Sequence, residues 1–189
     1  MRIIHFILIF LAISGCRQVS TADQTQKQNN VLANSEKNTP AKQTPDILVL
    51  QKLFQLTEAE RILGEDAYLN DSSISINKNA TVYQCSYIAD ARDEITGKTG
   101  AIYYMVEYFG VLDSAKHIYA FFKKVNQEHG IKTIDGLGDE AYFHSDNQNF
   151  LMIIARKENR VLRMKVNKIT SHTSTVEFHT IARDIVSRL

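Results

Sequence analysis

Past residue 16, nearly every large apolar residue of this chain lies from Asp46 onward. That asymmetry limits the chain to one hydrophobic core, and places it in the C-terminal three quarters. From Arg17 to about Pro45 the sequence is Gln, Asn, Thr, Ser, Ala and Lys, with no aromatic residue and only scattered aliphatics. Such a stretch cannot bury enough apolar surface to offset its ordering entropy. It reads as a polar linker over 16–45, with a root-mean-square reach of ~5–6 Å × √n. The remainder, 46–189, has the length of one ordinary domain.

The first residues carry a different signal. Arg2 is a positive n-region, and Ile3 to Ile13 form an apolar run broken only by His5. The run is about half the ~20 residues a spanning helix needs, so it is an export h-region rather than a membrane anchor. Ile13-Ser14-Gly15-Cys16 resembles a lipobox, in which small residues precede a cysteine that is diacylated and becomes the mature N-terminus. The plainer alternatives are an ordinary signal peptide cleaved near Gly15, or a short buried helix. The lipobox reading makes 1–15 a lipoprotein signal peptide and Cys16 a palmitate-type lipidation site. Each buried CH₂ contributes ~0.8 kcal/mol, and two or three chains hold a protein stably without a spanning helix. Arg17 stands where an aspartate would suggest retention in the inner membrane, which favours the outer membrane.

Charge excludes one class of partner. The chain has 22 Lys and Arg against 21 Asp and Glu, and Arg2 belongs to the leader. A balanced domain offers no electrostatic case for nucleic acid. Of the two cysteines, Cys16 is assigned to the lipid, which leaves Cys85 without a partner in the chain. It shares a strand face with Tyr83 and Tyr87, as a small buried hydrophobe does.

Hydrophobic periodicity organises the domain. Ile47 to Phe54 reads as a helix. Leu56 to Leu63 reads as a second, with Thr57 and Glu60 as a capping box and Gly64 as its stop. Asn70-Asp71-Ser72-Ser73 is expected to be a loop. Ala80–Ala89 and Ala101–Phe109 are strands separated by turn residues Thr96 to Gly100. Asp113 is expected to cap a helix to about His129, with Ala115, Ile118, Tyr119, Phe122 and Val125 on its apolar face. Gly136-Leu137-Gly138 turns into a strand, Phe150 to Arg156 reads as a central strand, and Arg160 to Asn167 alternates. A last helix begins near Ser174, which is expected to form a capping box with Glu177, and its stripe is Phe178, Ile181, Ile185 and Leu189. Hairpin-length connections imply antiparallel pairing. The expected fold is α+β: a two-layer sandwich, an antiparallel β-sheet with helices packed on one face.

Leu56-Thr57-x-Ala59-Glu60-x-Ile62-Leu63-Gly64, Cys85-x-Tyr87 and Gly136-Leu137-Gly138-Asp139-Glu140-Ala141-Tyr142 together resemble small bacterial lipoproteins of unknown function. The resemblance implies a PsbP-like α/β sandwich and an envelope location, and no activity. Many such proteins carry a second cysteine just before the first helix; Ile47 to Leu53 has none.

No chemistry-bearing constellation stands out. The glycine pair lacks the third glycine and the helix of a dinucleotide fingerprint. Asp139 and Glu140 are adjacent, so on a strand they point to opposite faces and read as a solvated turn edge. His117, His129, His144, His172 and His179 show no close zinc-ligand spacing, and no Gly-x-Ser-x-Gly elbow is present. The expectation is a non-enzymatic protein with no cofactor and no metal. Two features suit binding. Arg156, Lys157, Arg160, Arg163, Lys165 and Lys168 concentrate basic charge on one hairpin, opposed by Glu158 alone. Tyr83, Tyr87, Tyr103, Tyr104 and Tyr108 sit on two neighbouring strands, with Tyr103 facing away from Tyr104 and Tyr108. The candidate binding surface is therefore Arg156, Lys157, Arg160, Arg163, Lys165 and Tyr103. The partner would be the membrane, through the lipid, and an envelope protein or polymer. The alternative is a carrier or sensor for a small apolar ligand held between sheet and helices.

Overall fold

The computed structural model describes residues 47–189. Cys16, the signal segment and the linker 17–45 lie outside the described residues. The elements are α1 (Ile47–Lys52), α2 (Leu56–Leu63), β1 (Ala67–Ile76), β2 (Ala80–Ala89), β3 (Ala101–Phe109) and α3 (Leu112–Gln127). They continue with β4 (Lys132–Thr133), β5 (Glu140–Ser145), β6 (Phe150–Lys157), β7 (Arg160–Asn167) and α4 (Thr175–Arg188). The strands form one seven-stranded antiparallel sheet in the order β1-β2-β3-β7-β6-β5-β4. It is an open α+β sandwich.

The helices do not share one face, which corrects the two-layer expectation. Leu53 and Phe54 beside α1, Ile62 and Leu63 of α2, and Phe178, Ile181 and Ile185 of α4 pack with Cys85, Tyr104, Ile153, Leu162 and Met164. Ala115 and Tyr119 of α3 pack instead with Phe109, Tyr142, Ile154 and Val161. Ile153 and Ile154 are neighbours on β6, and Val161 and Leu162 on β7. Successive strand residues point to opposite faces, so the two clusters lie on opposite sides of the sheet. The almost continuous apolar run of β6 reflects this double burial.

Four local expectations change. Asn70 to Ser73 belong to β1, because an edge strand needs no apolar face; nine of its ten residues are exposed. A bulge at Asn70 interrupts its register with β2. α2 starts earlier than its capping box suggested: Gln55 is the cap, and Glu58 accepts a hydrogen bond from the Gln55 N–H at 2.9 Å. Asp113 lies in the first turn of α3, and Val111 is the cap. The short β4 has too little sequence to show periodicity. Other boundaries agree, including β2 and β3 in full. Gly64 closes α2 in the left-handed region at φ 75°, and a Cβ there would collide with the His172 carbonyl. Ser174 caps α4 by accepting from the Glu177 N–H, but the box stays open: the Ser174 N–H goes to the Ile62 carbonyl and the Glu177 carboxylate to Arg61.

Candidate functional site

α3 covers only half of its sheet face. On the other half, outward-pointing residues run in rows across the strands. Gln84 of β2 lies opposite Met105 of β3, which lies opposite Arg163 of β7. The next row is Ser86, Tyr103, Lys165 and Met152. Between them the Cys85, Tyr104 and Met164 side chains point into the opposite core, so that row lends main chain to a groove floor. Asp71 closes the β1 end. The resulting groove has a volume of about 400 Å³, within the usual ligand-pocket range of ~300–1,000 Å³.

Its electrostatics follow from a few contacts. Arg163 Nη2 is 3.0 Å from Glu107 Oε2, and its guanidinium stacks 4.5 Å from the Phe122 ring centroid of α3. Burial pushes the Glu107 carboxyl above its ordinary value, and the Arg163 charge acts against that shift. Arg163 Nε is buried and has no hydrogen-bond partner among the described residues. Lys165 is exposed, its Nζ 5.4 Å from the Phe150 ring centroid, with no acidic partner among the described residues. Tyr103 is 47% exposed and offers a broad apolar surface with a polar tip. Across the strands the groove therefore runs from an acid on β1, through Met105 and the Tyr103 ring on β3 and the cations Arg163 and Lys165 on β7, to Met152 on β6.

Three of the six expected surface residues meet here: Tyr103, Arg163 and Lys165. Arg156, Lys157 and Arg160 do not. Arg156 is buried, with Nη1 2.6 Å from Asp139 and Nε 2.8 Å from Glu140. The antiparallel register sets Glu140 directly opposite Arg156, so Asp139 and Glu140 are a solvated edge as expected, but both carboxylates converge on one arginine instead of diverging to opposite faces. Lys157 Nζ donates to the Val186 and Ser187 carbonyls at 3.1 and 2.9 Å, where the end of α4 carries partial negative charge. Arg160 binds the Leu189 carbonyl and lies over the Tyr108 ring. These three cations hold the fold together, and Lys168 is an exposed loop residue outside the groove lining.

The structure adds Asp71, Gln84, Met105 and Met152 to the candidate site. Only cross-strand register gathers them, since they come from four strands. Cys85 is 3% exposed, and burial raises its thiol to about 11, with hydrogen bonds to Tyr83 and Tyr87 opposing the shift. A thiol so shifted holds little nucleophilic thiolate at neutral pH. Asp93 is a structural hub that the sequence did not single out. It accepts from the Ile95 and Thr96 N–H groups, the Thr96 hydroxyl, and both Ser171 donors. Chiefly the Thr96 hydroxyl, then Ser171, hold its carboxyl well below the usual range.

Among the described residues no group of three or more His, Cys, Asp and Glu is placed to hold a metal ion. No described helix is long and apolar enough to cross a membrane. No protein-family model, curated protein or solved structure matches the chain.

Proposed function

We propose that this chain is a lipid-anchored protein of the bacterial cell envelope, most consistent with the outer membrane, whose PsbP-like sandwich domain is a non-catalytic binding module. Cys16 carries the lipid and the polar segment after it spaces the domain from the membrane. The domain takes an envelope protein or polymer in the groove across β2, β3, β7 and β6.

The observation that carries this reading is the cross-strand pair Tyr103 and Lys165, both exposed, on the part of the sheet face beyond α3, with Arg163 beside it already held by Glu107 and the Phe122 ring. Such a surface matches a ligand with an anionic group and an apolar body. The carrier reading placed its ligand between sheet and helices. Phe54, Tyr104 and Phe178 fill that space, each 1% exposed or less, with Phe54 stacked on Tyr104 at 5.0 Å. The groove lies outside it, which favours the partner-binding reading.

The test compares what wild type, Lys165→Glu and Tyr103→Ala retain from solubilised envelopes. Both positions are exposed, so both variants should fold. Arg163 is the poorer choice, because its loss strands Glu107. Each variant is expected to lose the same retained species at least tenfold. An unchanged bound set would sink the groove as the binding site. Mass spectrometry of the membrane-extracted protein tests the anchor, which fails if Cys16 carries no acyl mass.

A further inference from the structure

The two edges of the sheet differ sharply. β4 ends the sheet with two residues, one of them Lys132, which is how natural sheets blunt an edge. β1 ends the other side with ten residues, no lysine and no proline; its guards are one charge, Asp71, and the bulge at Asn70. Among the described residues only β2 pairs with it. Alternate N–H and C=O groups along a roughly 33 Å strand therefore point outward with no strand partner among the described residues.

The side chains of β1 form a stripe. Leu69, Ser72 and Ile74 pair with Tyr87, Cys85 and Tyr83, which face the α1–α2–α4 core. Leu69, Ile74 and Ile76 are 52%, 40% and 63% exposed on that side. The bulge at Asn70 shifts the alternation by one, so Leu69 stays on the same side as Ser72 and Ile74.

We propose that the β1 edge pairs antiparallel with the β1 edge of a second copy, about a two-fold axis at Ser72. The register is self-complementary. With Ser72 opposite itself, Asp71 meets Ser73 of the second copy, Leu69 meets Ile74, Tyr68 meets Ser75 and Ala67 meets Ile76. The Asn70 bulge occurs once in each copy and preserves the face of every pair. No like charges meet, and the two apolar stripes become one. A register that centred the axis on Asp71 would oppose two carboxylates, which is unfavourable. Because Asp71 also closes the groove, the pairing sets the two grooves end to end on the opposite face.

Two substitutions on this exposed strand give opposite outcomes. Ser72→Lys sets two ammonium groups against each other at the axis. Ser73→Lys sets each ammonium against Asp71 of the other copy, twice per dimer. Cross-strand charge pairs of this kind change dimer affinity about twofold to thirtyfold. Native mass spectrometry of the full chain in detergent, across a dilution series, reads the dimer fraction directly. The expected result is a wild-type dimer, weakened by Ser72→Lys and strengthened by Ser73→Lys, with circular dichroism unchanged in both. A wild type that stays monomeric at every concentration up to about 100 μM overturns the proposal. So does a dimer that responds alike to both lysines, which would place the seam elsewhere.

Discussion

The same strands meet opposite fates on the face that carries α3. On β6, Ile154 is 2% exposed under Tyr119 and Ala115, while Met152, two residues earlier, is only partly buried at the rim of that cluster and lines the groove. On β7, Val161 is fully buried, whereas Lys165, four residues on and facing the same way, is exposed. Strand alternation assigns a residue to a face, but the reach of one sixteen-residue helix decides whether that position is core or surface. The covered half stabilises the fold. The open half carries the groove in which we propose the partner binds.

The largest expected contrast is in packing. Ile154→Ala should cost about 2–5 kcal/mol of unfolding free energy by creating a cavity under α3. Met105→Ala, in the open half, should cost about 1 kcal/mol or less. Urea denaturation of both variants measures this, and equal costs would break the distinction between the halves. A second contrast separates the basic residues. Arg156→Ala removes charge-assisted hydrogen bonds to Asp139 and Glu140 and should cost about 1.5–3 kcal/mol. Both carboxylates are nearly half exposed and regain water, which keeps the loss toward the lower end. Lys165→Ala should stay within about 0.5 kcal/mol while lowering retention of the bound species.

Cys85 reports whether the groove floor is sealed. Its thiol points away from the groove into the opposite core, so native labelling should be slow and should accelerate on unfolding. Rapid stoichiometric labelling of folded protein would show that the floor opens. The smallest effect lies near the boundary of the two halves. His144 lies opposite Met152, is 7% exposed and stacks on His129 at 5.9 Å. Burial, then the His129 charge, hold its imidazole below the ordinary value. The unfolded imidazole titrates near about 6.5, so His144 contributes stability above that pH and loses it as pH falls through the folded pKa. Glu65 and Glu107, raised by burial, act in the opposite sense: their contribution is present at low pH and is lost as pH rises. His144→Phe should therefore flatten the loss of Tm between pH 7 and pH 5. An unchanged slope would show that His144 is not desolvated in the folded protein.

Much of the fold was legible where a single periodic pattern matched a single burial environment. β2, β3 and β7, the apolar stripe of α4 and the glycine stop of α2 all belong to that group. β1 was not legible, because an exposed edge strand of Asn, Asp and Ser carries turn chemistry while its order comes from pairing with β2. The basic hairpin was visible as a charge run, yet its six cations divide between internal partners and solvent. Arg156 shows why: its acids lie sixteen and seventeen residues away in sequence and become neighbours only through the β5–β6 register.

The sequence by itself determined the α+β class, most elements, the buried environment of Cys85, and the opposite facing of Tyr103 and Tyr104. These follow from local periodicity, which depends on neighbours a few residues apart. Tertiary structure alone decided that α3 crosses to the second face, that part of that face has no helix over it among the described residues, and which cations find acidic or carbonyl partners there. Those outcomes depend on which strands lie side by side and where a helix stops covering them. Contacts between residues far apart in the chain set both, and no local pattern records them.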